Sequence, residues 1–423
     1  MNLLYNIGVR GYVAAVRTAA AFGHSKAKLM EEGRKGWETF LRERRAPGDR
    51  YVWFHASSLG EFEQGRPLME AFRETHPEFK LLVTFFSPSG YEVRKNYKGA
   101  DIVMYLPYDI QSEVKRFVEL ANPEIAFFVK YEFWGNVLEA LQKKGIPCYL
   151  ISGIFRRNQS FFQWYGGAFR PMLGMFRHLF VQDEESKALL SEIGIRDRVT
   201  ICGDTRFDRV IAIRQQAKDL AWAEAFRRKG TFTLIAGSSW PKDEEILLPH
   251  FNTHPGMQLI IAPHEIHEGH VQQIIAGLQR PYIRYSELKP LLDAGRTDEA
   301  IAKAEAVDCL IIDAIGFLSS IYRYGDAAYI GGGFGVGIHN TLEAAVYGIP
   351  VVFGPNHQAF REALGLIDCK GGFPISQASE YEALMDRFLS DTAFLREAGE
   401  KAGRYVQENA GATETIFSAV FQA

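Results

Sequence analysis

The sequence predicts an α/β protein of two doubly wound lobes, and three observations carry that reading. A chain of 423 residues with 47% apolar content is too long for one core and long enough for two of ordinary size. From Tyr51 onward, short β-branched or aromatic runs alternate with helical stretches, the pattern of βαβ units and of parallel sheets covered by helices on both faces. A polar stretch without a strand signal, RVIAIRQQAKDLAWAEAFRRKG, divides that series in two.

In chain order, residues 1–45 come first as a segment unlike the rest. MNLLYNIGVRGYVAAVRTAAAF is mostly apolar, yet Asn6, Arg10 and Arg17 fall in one narrow sector of a helix. Two internal arginines argue against a cleaved signal and make a spanning helix marginal. The basic sequel HSKAKLMEEGRKGWETFLRERR suits a segment resting on an anionic membrane surface; the alternative is a helix packed on its own domain. Residues 46–210 form the first lobe, with strands in YVWFHA, KLLVTFF, DIVMYLP, EIAFFVK, PCYLIS, HLFVQD and VTICGD. Residues 211–230 link it to a second lobe, 231–400, with strands in TFTLIAG, QLIIAP, YIRYS, DCLIID, AAYIGG and IPVVFG. A helical tail closes the chain, its last part, 401–423, a C-terminal helix expected to return to the first lobe.

Composition excludes some functions. Lys plus Arg is 48 and Asp plus Glu 51, so a net charge of -3 gives no nucleic-acid signature. The four cysteines, Cys148, Cys202, Cys309 and Cys369, lie far apart, without zinc spacing or a disulfide framework, which fits a reducing cytosol.

In open α/β sheets ligands sit beyond the carboxyl ends of the strands, so those loops carry the candidate chemistry. After YVWFHA, Ser58 to Glu61 matches a capping box, and the same Glu at a cleft mouth would have the raised pKa of a general base. Gly60, Ser57 and His55 give that loop more room and polarity than a cap requires. In FFVKYEFWGN, Glu132 stands among aromatic residues and needs a partner, an Arg being the bland expectation. GDTRFDR puts Arg206 between two aspartates, where a guanidinium can fork onto a phosphate. In IGGGFGVGIHNTLEAAVYGIPVVFGP, Asn340 to Glu343 repeats the capping pattern after five glycines, which free the backbone for a phosphate ahead of a helix N-terminus. Val336 and Ile338 break any G-x-G-x-x-G, and no P-loop Lys follows. APHEIHEGH, with His264, His267 and His270, is not a zincin motif, because Glu268 stands where the second His belongs, and no metal is expected.

These motifs together resemble the 3-deoxy-D-manno-octulosonic acid (Kdo) transferases over nearly the whole chain. HASSLGE answers the family's H-x-x-S-x-G-E; VKYEFWGN, YLPYD and GDTRFD answer further motifs; GIHNTLEAAVYGIPVVFGP answers its G-G-H-N-x-L-E helix start and following strand. The resemblance implies two Rossmann-like lobes in the GT-B arrangement, CMP-Kdo as donor, a lipid A precursor as acceptor, no cofactor or metal, inversion at the anomeric carbon, and the cytoplasmic face of the inner membrane in lipopolysaccharide synthesis. Carried over, Glu61 is the base, and Glu132 and Arg206 stabilise the transition state or hold the acceptor. CMP contacts fall on Pro263, His264, Ile315, Gly316, Phe317, Asn340, Thr341, Leu342 and Glu343. The chain departs from the family where Arg206 replaces Lys, Ile338 a glycine, His264 an Arg and Phe317 a Glu, which removes a cation and an anion from the donor pocket together. The rival readings are another GT-B enzyme, a UDP-sugar transferase or epimerase, and a non-catalytic nucleotide-binding protein of the membrane surface.

Overall fold

The computed structural model describes residues 3–228, 230–335 and 337–421; Met1, Asn2, Lys229, Val336 of the glycine loop, Gln422 and Ala423 lie outside the described residues. The chain divides into two compact units, one running to Arg209 and taking up the segment from Ala410, the other spanning Val210–Asn409.

The first unit is a parallel sheet of β1 (Arg50–Ala56), β2 (Phe79–Phe85), β3 (Ile102–Tyr105), β4 (Pro123–Val129), β5 (Cys148–Gly153), β6 (His178–Val181) and β7 (Val199–Ile201), in the order β3-β2-β1-β4-β5-β6-β7. Every residue of β1 after Arg50 is buried, and its alternate side chains feed two layers. Trp53 packs on one face with Phe117, Phe128 and Leu150; Val52 and Phe54 pack on the other with Phe62 and Phe127. Each such side chain contributes roughly 1.5–3 kcal/mol by leaving water. Strand order reverses between β1 and β4, so the crevice of this sheet opens at their carboxyl ends.

Three helices, Leu3–Ala21, Ser25–Glu32 and Trp37–Arg44, precede β1. One face of the first is seated on the lobe through Val13, which packs with Met30 and Tyr108. Buried Arg34 locks this layer, donating to the carbonyls of Met30, Phe86 and Leu106. The other face leaves Leu3, Leu4, Ile7 and Phe22 between 57% and 88% exposed. Packing on its own lobe and presenting an apolar face outward thus coexist. Asn6 is half-buried and accepts from Asn136 Nδ2 at 2.9 Å. Among the described residues no helix is long and apolar enough to cross a membrane. The last helix, Ala412–Phe421, adds Ile416 and Phe417 to the Val52 layer, and the Asp208 carboxylate accepts from the N–H groups of Gly411 and Thr413 at 2.6 and 2.7 Å.

The second unit has β8 (Phe232–Ser239), β9 (Met257–Pro263), β10 (Tyr282–Arg284), β11 (Cys309–Ile311), β12 (Ala327–Ile330), β13 (Val351–Phe353) and β14 (Gly372–Pro374), all parallel, in the order β10-β11-β9-β8-β12-β13-β14. Its reversal falls between β8 and β12. β14 escapes the sequence reading because Gly-Phe-Pro has no apolar run; pairing with β13 makes it a strand. The polar stretch between the strand series forms the helices Thr205–Gln215 and Ala221–Phe226.

Candidate functional site

In the first lobe the reversal brings two loops together. The β1 loop carries Ser57 and enters the helix Leu59–Thr75 through Ser58, which has the extended backbone of an N-cap. Glu61 lies on the first turn and turns one oxygen back: Oε2 accepts from the N–H of Ser57 at 2.6 Å and of Ser58 at 3.1 Å. The cap is therefore real. It uses one carboxylate oxygen, and among the described residues no hydrogen bond reaches the other. Burial pushes the Glu61 carboxyl up to about 6, the Glu132 charge adds to the rise, and the two N–H groups and His55 oppose it. A Cβ on Gly60 would meet nothing, so the outside of this turn is open. Gly90, by contrast, is needed for packing, because a Cβ there would strike Phe85 and the Ser58 backbone.

The β4 loop supplies Glu132, which is 5% exposed. Its partner is not the arginine expected. Oε2 accepts from Trp134 Nε1 at 2.6 Å and lies 2.9 Å from His55 Nε2. His55 belongs to β1 and is fully buried. A ring nitrogen that close to a carboxylate must carry hydrogen, so Nε2–H donates to Glu132. Nδ1 lies 2.8 Å from the Thr84 hydroxyl and 3.1 Å from the Thr84 carbonyl, and that hydroxyl accepts from Trp53 Nε1 at 2.8 Å. This buried chain of donors fixes Glu132 beside Glu61. Lys130, two residues earlier, holds φ at +67°, a strained backbone for a non-glycine. Ser152 at the end of β5 and Ser238 at the end of β8 show the same strain, which gathers where sites are built.

Arg206 opens the helix Thr205–Gln215, and its Nε and Nη2 both reach Asp204 Oδ2, at 2.8 and 2.7 Å. Gln64, one turn past Glu61, also donates to Asp204. Arg206 is thereby tied to the Glu61 helix through a carboxylate, and the other aspartate of the motif, Asp208, is engaged with the returning C-terminal segment.

In the second lobe the reversal joins the β8 and β12 loops, and the residue joining them is Asp243, which the sequence reading did not single out. Fully buried, its Oδ1 accepts from Tyr329 hydroxyl at 2.7 Å, and its Oδ2 from Gly332 and Trp240 N–H, each at 2.9 Å. The glycines prove largely structural. A Cβ on Gly331 would strike the Ser238 and Ser239 backbone and one on Gly333 that of Gly354, while Gly332 and Gly337 hold positive φ. Nor is there a long helix behind the loop. The helix is Leu342–Ala345, one turn, so it lacks the summed dipole the phosphate reading used. Asn340 is exposed; its Oδ1 accepts from Leu342 N–H and its Nδ2 donates to Glu343 at 3.0 Å. Thr341 and Leu342 are buried beneath it.

At the end of β9, Pro263 is buried and His264 is exposed, stacked against Trp240 and His339 with ring centroids 4.7 and 4.4 Å apart. Burial, with His264 alongside, lowers His339 to about 4; its neutral Nε2 accepts from Trp240 Nε1. The β11 loop projects Ile315, 87% exposed, then Gly316 with positive φ, then Phe317 against Tyr285 and Trp222. His264 and Phe317, the two departures read as one exchange, are each taken up by their own aromatic neighbours. The three histidines of APHEIHEGH have separate tasks: His264 stacks, His267 caps the helix Glu268–Gly277, and buried His270 sits 3.0 Å from Glu244.

Comparison with known proteins agrees with this geometry. Residues 29–209 match the family described as 3-Deoxy-D-manno-octulosonic-acid transferase (kdotransferase). The 3-deoxy-D-manno-octulosonic acid transferase of Bordetella pertussis is 27% identical, over 91% of this chain and 92% of its own. That of Chlamydophila psittaci is 26% identical, over 85% and 80%. Among solved structures, UDP-GlcNAc 2-epimerase from Neisseria meningitidis superposes with a TM-score of 0.60 at 14% identity, covering 88% of this chain and all of its own. MurG from Acinetobacter baumannii does so at 0.54 and 11%, with 88% and 100% covered. These structural likenesses speak for the fold, two doubly wound parallel lobes of the GT-B class. With the family match on its first lobe and relatives of that one description spanning nearly its whole length, the chain is similar throughout to the Kdo transferases, a family of glycosyltransferases.

Proposed function

We propose that the protein transfers Kdo from CMP-Kdo to a lipid A precursor in lipopolysaccharide synthesis, with inversion and without a metal, at the cytoplasmic face of the inner membrane. The observation that carries the chemistry is the Glu61 carboxylate, with one oxygen held by the loop, the other unclaimed among the described residues, and a pKa raised to about 6 by burial and by Glu132. Such a group is ionised at neutral pH yet basic enough to take a hydroxyl proton. The acceptor oxygen bonds to C2 of Kdo as Glu61 removes its proton, and the bond from C2 to the phosphate oxygen breaks, the electron pair leaving with CMP. No second carboxylic acid is required, since the leaving phosphate already carries its charge.

Glu132, held by His55 and Trp134, raises the Glu61 pKa and fixes charge beside the reacting hydroxyl. Arg206 serves the acceptor by exchanging Asp204 for a phosphate oxygen of the lipid headgroup, a bidentate match for its fork. CMP is assigned to the second lobe, against Pro263 and His264, the loop Ile315–Phe317, and Asn340 to Glu343. The lipid part of the acceptor is suited by an apolar cavity of about 780 Å³ in the first lobe, lined by Leu4, Gly8, Tyr12, Phe86, Trp134 and Phe169. Trp134 belongs to both cavity and Glu132 site. The exposed Leu3, Leu4, Ile7 and Phe22, with Arg10, Lys26 and Lys28 nearby in sequence, suit the membrane surface.

Incubation of the purified protein with CMP-Kdo and a bisphosphorylated tetraacyl lipid A precursor, followed by mass measurement of the lipid, tests the proposal. A gain of one or more Kdo masses is expected, with none when a UDP-sugar replaces CMP-Kdo. An unchanged lipid in the presence of both substrates contradicts it.

A further inference from the structure

The second lobe carries a side-chain cluster that the transfer reaction does not use. Helix Pro241–Thr253 leads away from the carboxyl end of β8, and its far end brings His250 and His254 together one turn apart, rings stacked with centroids 3.7 Å apart. Helix Ala378–Ser390 packs against it and adds Asp386, whose Oδ1 lies 4.0 Å from His250 Nε2 and 3.3 Å from His254 Nε2. One ligand atom from each of the three falls within 4.8 Å of the others.

We propose that His250, His254 and Asp386 bind a divalent transition-metal ion, zinc being the reference case, that clips these two helices together.

Two further observations point to a ligand. His250 is 3% exposed, and among the described residues its Nε2 has no hydrogen-bond partner, although buried polar atoms are nearly always satisfied. His254 Nδ1 donates to the His250 carbonyl at 2.6 Å, which turns Nε2 toward Asp386 as the ring nitrogen available to a metal. Both imidazoles thus bring Nε2 within 4.0 Å of one carboxylate oxygen, where a cation would sit between them. Two imidazoles and a carboxylate form a donor set that suits Zn²⁺, Co²⁺ or Ni²⁺, and metal bonds of about 2.0–2.2 Å draw ligand atoms to roughly the separation already found between His254 and Asp386. Asp386 is half exposed, so a rotation of its side chain closes the longer gap and water completes the shell. His250 lies ten residues along the helix axis from Trp240, about 15 Å from the strand-end loops, so the ion stabilises the lobe and takes no part in chemistry.

The full chain, stripped with a chelator and dialysed, is heated with and without Zn²⁺, and Co²⁺ is titrated while visible absorption is followed. At metal about 100 times above its dissociation constant the second lobe's melting point rises by about 5–10 °C, and Co²⁺ develops ligand-field bands. His254→Ala and Asp386→Asn, both at solvent-reachable positions and so expected to fold, abolish both signals. No shift with Zn²⁺ or Co²⁺, or the same shift in both variants, overturns the site.

Discussion

The same four-residue pattern, a capping residue followed by Glu at the third position, occurs after a central strand in each lobe, and the structure treats the two copies differently. At Ser58 to Glu61 a seventeen-residue helix follows, and the Glu carboxylate folds back onto the N–H groups of its own loop. At Asn340 to Glu343 only one turn of helix follows, and Glu343 pairs sideways with the Asn340 amide. What separates them is the neighbour across the strand reversal. Glu61 faces the buried Glu132, fixed by His55 and Trp134, and its pKa rises; the corresponding position in the second lobe is filled by Asp243, which holds the glycine loop in place. The two acidic neighbours differ in use: the oxygens of Asp243 are taken up by Tyr329, Gly332 and Trp240, while Glu132 acts on Glu61 as a neighbouring charge.

The largest effect separates the two glutamates. Glu61→Gln keeps an acceptor for the Ser57 and Ser58 N–H groups but no base, so transfer should fall about 10²–10⁴-fold. Glu343→Gln, on a residue assigned only to donor contact, should act mainly on the KM for CMP-Kdo. Equal losses of kcat in both variants would erase the distinction. Next in size is Asp243→Asn, which removes one of two oxygens accepting from Tyr329, Gly332 and Trp240; a loss of about 1–3 kcal/mol in thermal unfolding and weaker CMP binding are expected, with intact binding counting against a loop-holding role.

The sequence made one part of this visible and hid another for a physical reason. Every strand but β14 could be read, because buried parallel strands are runs of apolar residues, and Glu61 and Glu132 could be picked out because strand-end loops are where sheets bind ligands. Strand order could not be read, and only that order puts the Glu61 and Glu132 loops side by side. His55 looked like loop polarity and is a buried residue of β1, since a polar residue near the end of a strand gives no sign of what lies across from it. Asp243 sits in an ordinary helix start, WPKDEE, and two of its three partners, Tyr329 and Gly332, come from a distant stretch of chain. The glycine run suggested a phosphate cradle, but close backbone packing, as at Gly333 against Gly354, demands glycine just as strictly.

The smallest effect is on stability. The folded pKa of Glu61, about 6, lies above its ordinary 4.5, so ionisation disfavours the folded state: the group's contribution is intact below about pH 4.5 and is lost as pH rises through about 6. Glu61→Gln should therefore unfold at a higher temperature than the parent at neutral pH, and the gap should close in acid. A variant less stable than the parent at neutral pH would return Glu61 to a purely capping role.

The central claim, a basic carboxylate at the first-lobe reversal, is met most directly by single-turnover transfer from about pH 5 to about pH 8. The account predicts a rate that falls about tenfold per unit on the acid side of a midpoint near 6, and a midpoint displaced to lower pH in Glu132→Gln, where the neighbouring charge is gone. A rate unchanged down to about pH 5, or a midpoint indifferent to Glu132, would contradict it.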